Sequence, residues 1–335
     1  MMQNTKIYLT EPRKFIIKQS EINIIPNGHC VVKPLSLSIC KADLRYYNGQ
    51  REEKVLKQKL PMVLIHEGIG IVQKSKSVYF QENEFVNIVP CIRYLSKETY
   101  YNNDYENTLF MSSNCDGLMQ KHVKVSEDNL IKIPELKSEF STLELGSVCL
   151  AALHKLKTHD IDLNNKKIVL FGTGALAYWM YSILRETTNS AITIVGNNKD
   201  KIKNFNCDNT IIFKDIKEEH NNIFDIAIEM VGKSTDSIIN VCTKILKPNS
   251  NILLLGMDEN NNKVNFRNII QKGINIITSH RAITYDCDRI NLCKMNMNKI
   301  VSKEILIKSI DDIYDAFNSS CKYQFKTVMN FSEYW

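Results

Sequence analysis

The stretch Lys166 to Leu184, KKIVLFGTGALAYWMYSIL, constrains this chain more than any other. An apolar run of strand length leads straight into Gly172-x-Gly174-x-x-Ala177, and helical spacing follows. Further strand-length runs, AITIVGNN, FDIAIEMVG, NILLLGM and INIITSH, then alternate with helix-like segments. That alternation requires a parallel sheet covered by helices on both faces. In the turn, Gly172 makes the tight bend, Gly174 lets the backbone approach a pyrophosphate, and Ala177 lets helix and strand pack closely. The first N-H groups of the helix suit phosphate oxygens. Gly172, Gly174, Ala175 and Leu176 are therefore candidate dinucleotide contacts, with a purely structural glycine turn as the alternative.

The next strand ends VGNNKDK, from Val195 to Lys201. A site for NAD generally carries an acid at this strand end to bind the ribose 2'-hydroxyl, whereas Gly196, Asn197 and Asn198 are uncharged. Lys199 and Lys201 could face a 2'-phosphate, so NADP is favoured. For either lysine alone, a solvated loop is the competing reading.

The remaining sequence has to supply a substrate and the chemistry. At 335 residues the chain suits two domains. The first half is β-rich in texture, with short runs such as CVVKPLSLSIC, MVLIHEGIGIV and EFVNIVPCI between turn residues. Leu95 to Ser113 is polar and rich in Tyr and Asn, as expected of a long surface excursion. Helical spacing begins near Ser141, a candidate N-cap, in STLELGSVCLAALHKLK. The expected division is residues 1–149, completed by 283–335, and a cofactor-binding domain over 150–282.

No apolar run reaches the roughly 18 residues a membrane helix needs, and the N-terminus MMQNTKIYLTEPRKF has no secretory pattern, so a cytoplasmic protein is expected. Ten scattered cysteines without a CxxC pair read as free thiols, one of them a possible metal ligand. The net charge of +6 is dispersed, which argues against nucleic acid and weakly for anionic small ligands.

LPMVLIHEGIGIV, Leu60 to Val72, sets His66 and Glu67 inside an apolar run. Burying such groups unpartnered costs several kcal/mol, so neighbours, a metal ion or substrate must satisfy them. Cys40, in SLSICKADLRYYNG, also ends an apolar run. With a third ligand, Cys40 and His66 could form a catalytic zinc site with one position open. A buried free thiol and a hydrogen-bonded core histidine are the structural alternatives.

SICKADLRYYNG, PMVLIHEGIGIV, VLFGTGALAYW and DIAIEMVGKS resemble, in order, the GxCxSD, GHExxGxV, GxGxxG and DxxxxxxG segments of the zinc-dependent medium-chain dehydrogenases/reductases. The resemblance spans essentially the whole chain. It implies an α/β protein: a GroES-like β-rich catalytic domain plus a Rossmann doubly wound parallel-sheet domain, with the active site in the cleft between them. It further implies Cys40 and His66 as zinc ligands, Glu67 as a direct or water-mediated ligand, and Glu144 completing the site as in the polyol dehydrogenases. Gly68 and Gly70 are expected to let the backbone turn beside the metal.

Two departures from the pattern matter. The lobe that binds a structural zinc in this family needs four close cysteines, and Cys91 and Cys115 are the only two in that region, so one catalytic zinc and no structural zinc are expected. The hydroxyl residue that normally relays the proton is here Ala42. Tyr46, Tyr47 or a zinc-bound water held near Glu67 would then have to donate it.

SICKADLRYYNGQREEKVLKQKLPMVLIHEG is similar, nearly residue for residue, to the bacterial ribulose-5-phosphate reductases, and CDGLMQKHVKV and KTVMNF resemble them too. That likeness implies NADPH-dependent reduction of D-ribulose 5-phosphate to D-ribitol 5-phosphate, supplying a cytidylyltransferase with substrate for CDP-ribitol and thus teichoic acid or capsule. Arg45, Arg51 and Arg281 are candidate clamps for the substrate phosphate, with an ion pair as the alternative for each. The runner-up function is a zinc-dependent polyol dehydrogenase acting on an unphosphorylated or different sugar. A homodimer is expected from the family.

Overall fold

The computed structural model describes residues 1–93, 108–258, 263–282 and 292–335. The chain divides into two compact units, Met1–Ser147 with Ala282–Trp335, and Val148–Arg281.

The first unit is built on a seven-stranded sheet. Its strands run in the order Leu130–Lys132, Phe85–Ile88, Glu67–Ser75, His29–Ser38, Lys326–Asn330 and Val301–Leu306, and Val123–Ser126 also pairs with His29–Ser38. The strand nearest the chain's end thus lies beside one of the first, which brings Lys326 next to residues near position 67. Ile7, Leu9, Val32, Leu37, Val86, Phe317 and Phe331 are fully or almost fully buried in one core. Gly68 and Gly70 lie within the Glu67–Ser75 strand rather than at a turn. A Cβ on Gly68 would come 2.5 Å from Leu37 Cδ2, and one on Gly70 would come 2.2 Å from the Lys33 carbonyl. These glycines serve close approach of the His29–Ser38 strand, which corrects the expected turn beside a metal.

The second unit holds six strands, all parallel: Asn209–Ile212, Ala191–Gly196, Lys167–Phe171, Phe224–Glu229, Leu246–Leu254 and Asn275–Thr278 in spatial order. The order reverses beside Lys167–Phe171, the dinucleotide-binding topology. Ile168 through Phe171 are all buried, as a strand covered on both faces must be. Helices Ala175–Thr187 and Thr235–Ile245 follow their strands as the sequence spacing predicts.

Two sequence expectations shift. Helix Leu143–Thr158 starts after a short 3-10 turn, Ser138–Thr142. Ser141 lies in that turn and donates its hydroxyl to the Ser138 carbonyl at 2.6 Å, so it does not cap the helix. Of the expected excursion, 95–107 lies outside the described residues; the rest includes a short strand, Thr108–Phe110, paired with Cys91–Arg93. Among the described residues, no helix is long and apolar enough to cross a membrane.

Candidate active site

Cys40 immediately precedes helix Lys41–Tyr47, and His66 and Glu67 stand where the Glu67–Ser75 strand begins, next to Ile65 at a left-handed φ of 71°. The Cys40 sulfur, a His66 ring nitrogen and a Glu67 carboxylate oxygen all lie within 4.8 Å of one another. No other such group of three occurs among the described residues. Three of the residues singled out in sequence therefore converge, although Cys40 is separated from the other two by a helix-turn-helix segment.

The residues around this group account for its polarity. Asp43, fully buried, accepts the amide of Cys40 at 3.0 Å, the amide of Ile65 at 3.1 Å and the Ser112 hydroxyl at 2.7 Å, and one oxygen lies 3.7 Å from His66 Nδ1. Burial alone would push this carboxyl up; the charge of His66 and these hydrogen bonds outweigh burial and hold it below its ordinary value. Burial likewise opposes the charged form of His66, but the charges of Asp43 and Cys40 raise the imidazole well above its usual range. Surroundings that favour an imidazolium also favour a metal cation.

Glu67 is fully buried and takes a 2.6 Å ion pair from Lys326 on its Oε1. Against the pull of burial, the charges of Glu67 and Cys40 raise the Lys326 ammonium above its normal range. The other oxygen, Glu67 Oε2, is buried with no hydrogen-bond partner among the described residues. A thiol, an imidazole nitrogen and a carboxylate oxygen within reach of one another, on a carboxylate that keeps one oxygen unpartnered, are the donor types of a zinc site, so the residues fit that ion.

Glu144 lies in the first turn of the Leu143–Thr158 helix and is buried. Its carboxyl is pushed up to about 7, by burial first and then by the charge of Glu67, against the pull of His66 and Lys326. It shares the electrostatics of this centre but is not one of the three atoms that converge.

Of the remaining catalytic and substrate candidates, Arg45, Tyr46 and Tyr47 lie on helix Lys41–Tyr47, Arg51 follows that helix in the same unit, and Arg281 belongs to the second unit. Tyr47 sits in the core, stacked on Phe15 at 5.6 Å and against Phe317 at 4.8 Å, and its hydroxyl donates to Asn318 Oδ1 at 3.0 Å. That commits Tyr47 to packing instead of the expected proton donation. Tyr46 is also buried, with the Arg51 guanidinium 5.1 Å from its ring centroid. Arg45 lies in the last turn of the Lys41–Tyr47 helix. Arg281 ends the second unit at a left-handed φ of 58°. The Cys115 thiol is pushed up to about 11 by burial and by Asp116, and neither it nor buried Cys91 joins the converging group.

In the second unit, Gly172 takes φ 132°, a conformation suited to glycine, and Gly174 caps the helix that begins at Ala175. A Cβ on Gly174 would meet nothing within 4 Å, so nothing inside the protein requires a glycine there. The space above it is the approach a pyrophosphate needs, and the turn fits a dinucleotide. Leu176 follows in the first turn, and Ala177 is buried beneath it. Gly196 is different: its Cβ would lie 2.5 Å from Thr173 Cγ2, so this glycine lets the second strand pack against the turn. Asn198 caps helix Lys199–Ile202 by accepting the amides of Asp200 and Lys201 at 2.8 and 3.2 Å. Asn197 and Lys199 are exposed beside it.

Asp43, Lys326, Phe110 and Glu229 escaped the reading of the sequence. Asp43 is one helical turn after Cys40, a signal that was present. Lys326 reaches Glu67 across 259 positions, and Phe110 rests its ring 5.2 Å from that of His66. Glu229, fully buried, accepts the amides of Val231, Gly232 and Gly256 at 2.7, 3.0 and 3.1 Å, tying together the ends of two strands.

The alcohol dehydrogenase GroES-like domain family matches residues 26–135. Ribulose-5-phosphate reductase 1 of Staphylococcus aureus is 33% identical over 98% of this chain and 99% of its own length. The ribulose-5-phosphate reductase of Streptococcus pneumoniae is 29% identical over 98% of this chain and 97% of its own. Among solved structures, S. aureus TarJ in complex with NADPH superposes with a TM-score of 0.84 at 29% identity, covering 98% of this chain and 99% of that one.

Proposed function

Because the chain belongs to the medium-chain dehydrogenase/reductase family, close to the ribulose-5-phosphate reductases, we propose that this oxidoreductase reduces D-ribulose 5-phosphate to D-ribitol 5-phosphate with NADPH and one catalytic zinc ion. The observation that carries this reading is the convergence of Cys40, His66 and Glu67 within 4.8 Å, with Glu67 Oε2 left without a partner.

Cys40 and His66 would hold the zinc, with a carboxylate from Glu67 or Glu144 completing the set. Glu67 has one oxygen to offer, since Lys326 takes the other. Gly172, Gly174, Ala175 and Leu176 would receive the cofactor's pyrophosphate, and the uncharged Gly196-Asn197-Asn198 end with Lys199 supports a 2'-phosphate. When bound, zinc supplies Lewis acidity toward the C2 ketone oxygen and NADPH supplies the hydride. Asp43, with one oxygen 3.7 Å from His66 Nδ1, would orient that ring, and Lys326 neutralises Glu67 so that the pocket is not overloaded with negative charge. Ala42 has no hydroxyl to pass on a proton, and Tyr47's is committed to Asn318. Where Glu67 completes the set, buried Glu144 is the carboxyl left beside the centre and the candidate to deliver the proton. Arg45, Arg51 and Arg281 are the cations proposed for the substrate phosphate.

Two wider proposals follow from the likeness. The product would feed a cytidylyltransferase making CDP-ribitol for teichoic acid or capsule. The chain would form homodimers through the open edge of the six-stranded sheet at strand Asn275–Thr278, which follows in sequence a helix, Phe266–Lys272, with exposed Phe266 and Ile270; a monomer in sedimentation velocity would refute this.

The test is NADPH oxidation against a panel of pentulose and hexulose phosphates, with and without a chelator. Ribulose 5-phosphate should lead the panel and the chelator should stop the reaction. Equal activity on unphosphorylated ribulose would favour a polyol dehydrogenase.

A further inference from the structure

Ser112 is buried, 69 positions from Asp43 in sequence, and holds a left-handed φ of 58°. Glycine takes that conformation without strain, and a residue with a Cβ does not. What serine gains is its hydroxyl, which donates to Asp43 Oδ1 at 2.7 Å. The same oxygen accepts the amide of Ile65 and is the one facing His66 Nδ1. The turn carrying Ser112 is itself tightly fixed. The Ser112 amide donates to the Cys115 carbonyl at 3.0 Å, the Phe110 amide to Asn114 Oδ1 at 2.6 Å, and the Asn114 side-chain amide to the Thr108 carbonyl at 3.2 Å. From this turn Phe110 also packs its ring against that of His66. One short segment therefore touches both the imidazole and the carboxylate behind it.

We propose that Ser112 is a positioning residue of the metal centre: its hydroxyl fixes Asp43, and Asp43 in turn fixes the ring of His66 and so its affinity for the ion. This rests on the zinc reading of Cys40, His66 and Glu67. Groups behind a ligating histidine set its orientation and basicity, and removing them typically weakens metal binding by about 10-fold to 100-fold.

The experiment compares the full-length wild type with Ser112→Ala and Ser112→Gly, measuring Zn2+ affinity by competition with a chromophoric chelator alongside thermal unfolding of the metal-free proteins. Ser112→Ala loses the hydroxyl and keeps the strained backbone; Ser112→Gly loses the hydroxyl and relieves the strain, which protects the fold. The proposal expects both variants to bind Zn2+ about 10-fold more weakly, with Ser112→Gly at least as heat-stable as Ser112→Ala. It is overturned if Zn2+ affinity is unchanged in Ser112→Gly, or recovers in step with stability, since the serine would then be structural only. A wild type that binds no Zn2+ would bring down the zinc reading itself, and the proposal with it.

Discussion

The two units make their sites from different materials. In the first, the candidate centre consists of ionisable side chains: half-buried Cys40 with buried His66, Glu67, Asp43, Glu144 and Lys326. In the second, it consists of backbone: a glycine turn, a helix start, and loop amides gathered by Glu229. A centre of side chains should fail when one functional group is removed, even if the fold survives. A centre of backbone should tolerate changes of chemistry and fail on changes of shape.

Cys40→Ser probes the contrast most strongly. Losing a thiolate ligand should reduce turnover by about 10³-fold or more, because the polarising ion is worth several kcal/mol in the transition state. NADPH affinity, read by fluorescence titration, should stay near the wild-type value. Persisting turnover would show that the converging group is not the metal centre.

Next in size is Lys326→Met, which leaves Glu67 charged, buried and without its counter-ion. Breaking such a pair from one side typically costs about 3–5 kcal/mol, measurable by denaturant unfolding of the metal-free protein. A loss below about 1 kcal/mol would mean that Glu67 relaxes to solvent or protonates readily.

The shape rule in the second unit is sharpened by two glycines. Gly196→Ala forces a Cβ against Thr173 and should destabilise the protein by about 1–3 kcal/mol. Gly174→Ala meets open space in the protein, so stability should hold while the KM for NADPH rises about 10-fold or more. If both variants lost stability alike, the space above Gly174 would not be a cofactor approach.

The smallest expected effect is on cofactor choice. Gly196 is too tightly packed to be exchanged for an acid, so the exposed Asn197 is the position to change. Asn197→Asp should move the NADPH to NADH ratio of kcat/KM toward NADH by about 10-fold, through repulsion of the 2'-phosphate. An unmoved ratio would place 2'-phosphate recognition elsewhere.

How much the sequence revealed follows the same division. The Rossmann unit was readable because its strand, turn and helix are consecutive and its periodicity is local. Cys40, His66 and Glu67 were readable from their setting in apolar runs. Their partners were not, because Lys326 and Ser112 reach the centre only through strand pairing and a distant turn, which no local period reports. Tyr47 misled for the complementary reason. An amphipathic side chain next to a motif looks functional, while its burial against Phe15 and against Phe317 of helix Ile310–Ser320 is a property of the folded chain. Gly196 was legible only as an uncharged strand end, because its packing against Thr173 arises from the fold.

The central claim is that Cys40, His66 and Glu67 form the chain's one metal centre and that reduction depends on it. Metal analysis of the purified wild type and Cys40→Ser, paired with NADPH oxidation by ribulose 5-phosphate on the same samples, tests it most directly. The prediction is about one zinc per chain in the wild type, loss of that zinc in Cys40→Ser, and loss of activity with it. Full NADPH-dependent activity in protein carrying no zinc, or zinc retained undiminished in Cys40→Ser, would contradict it.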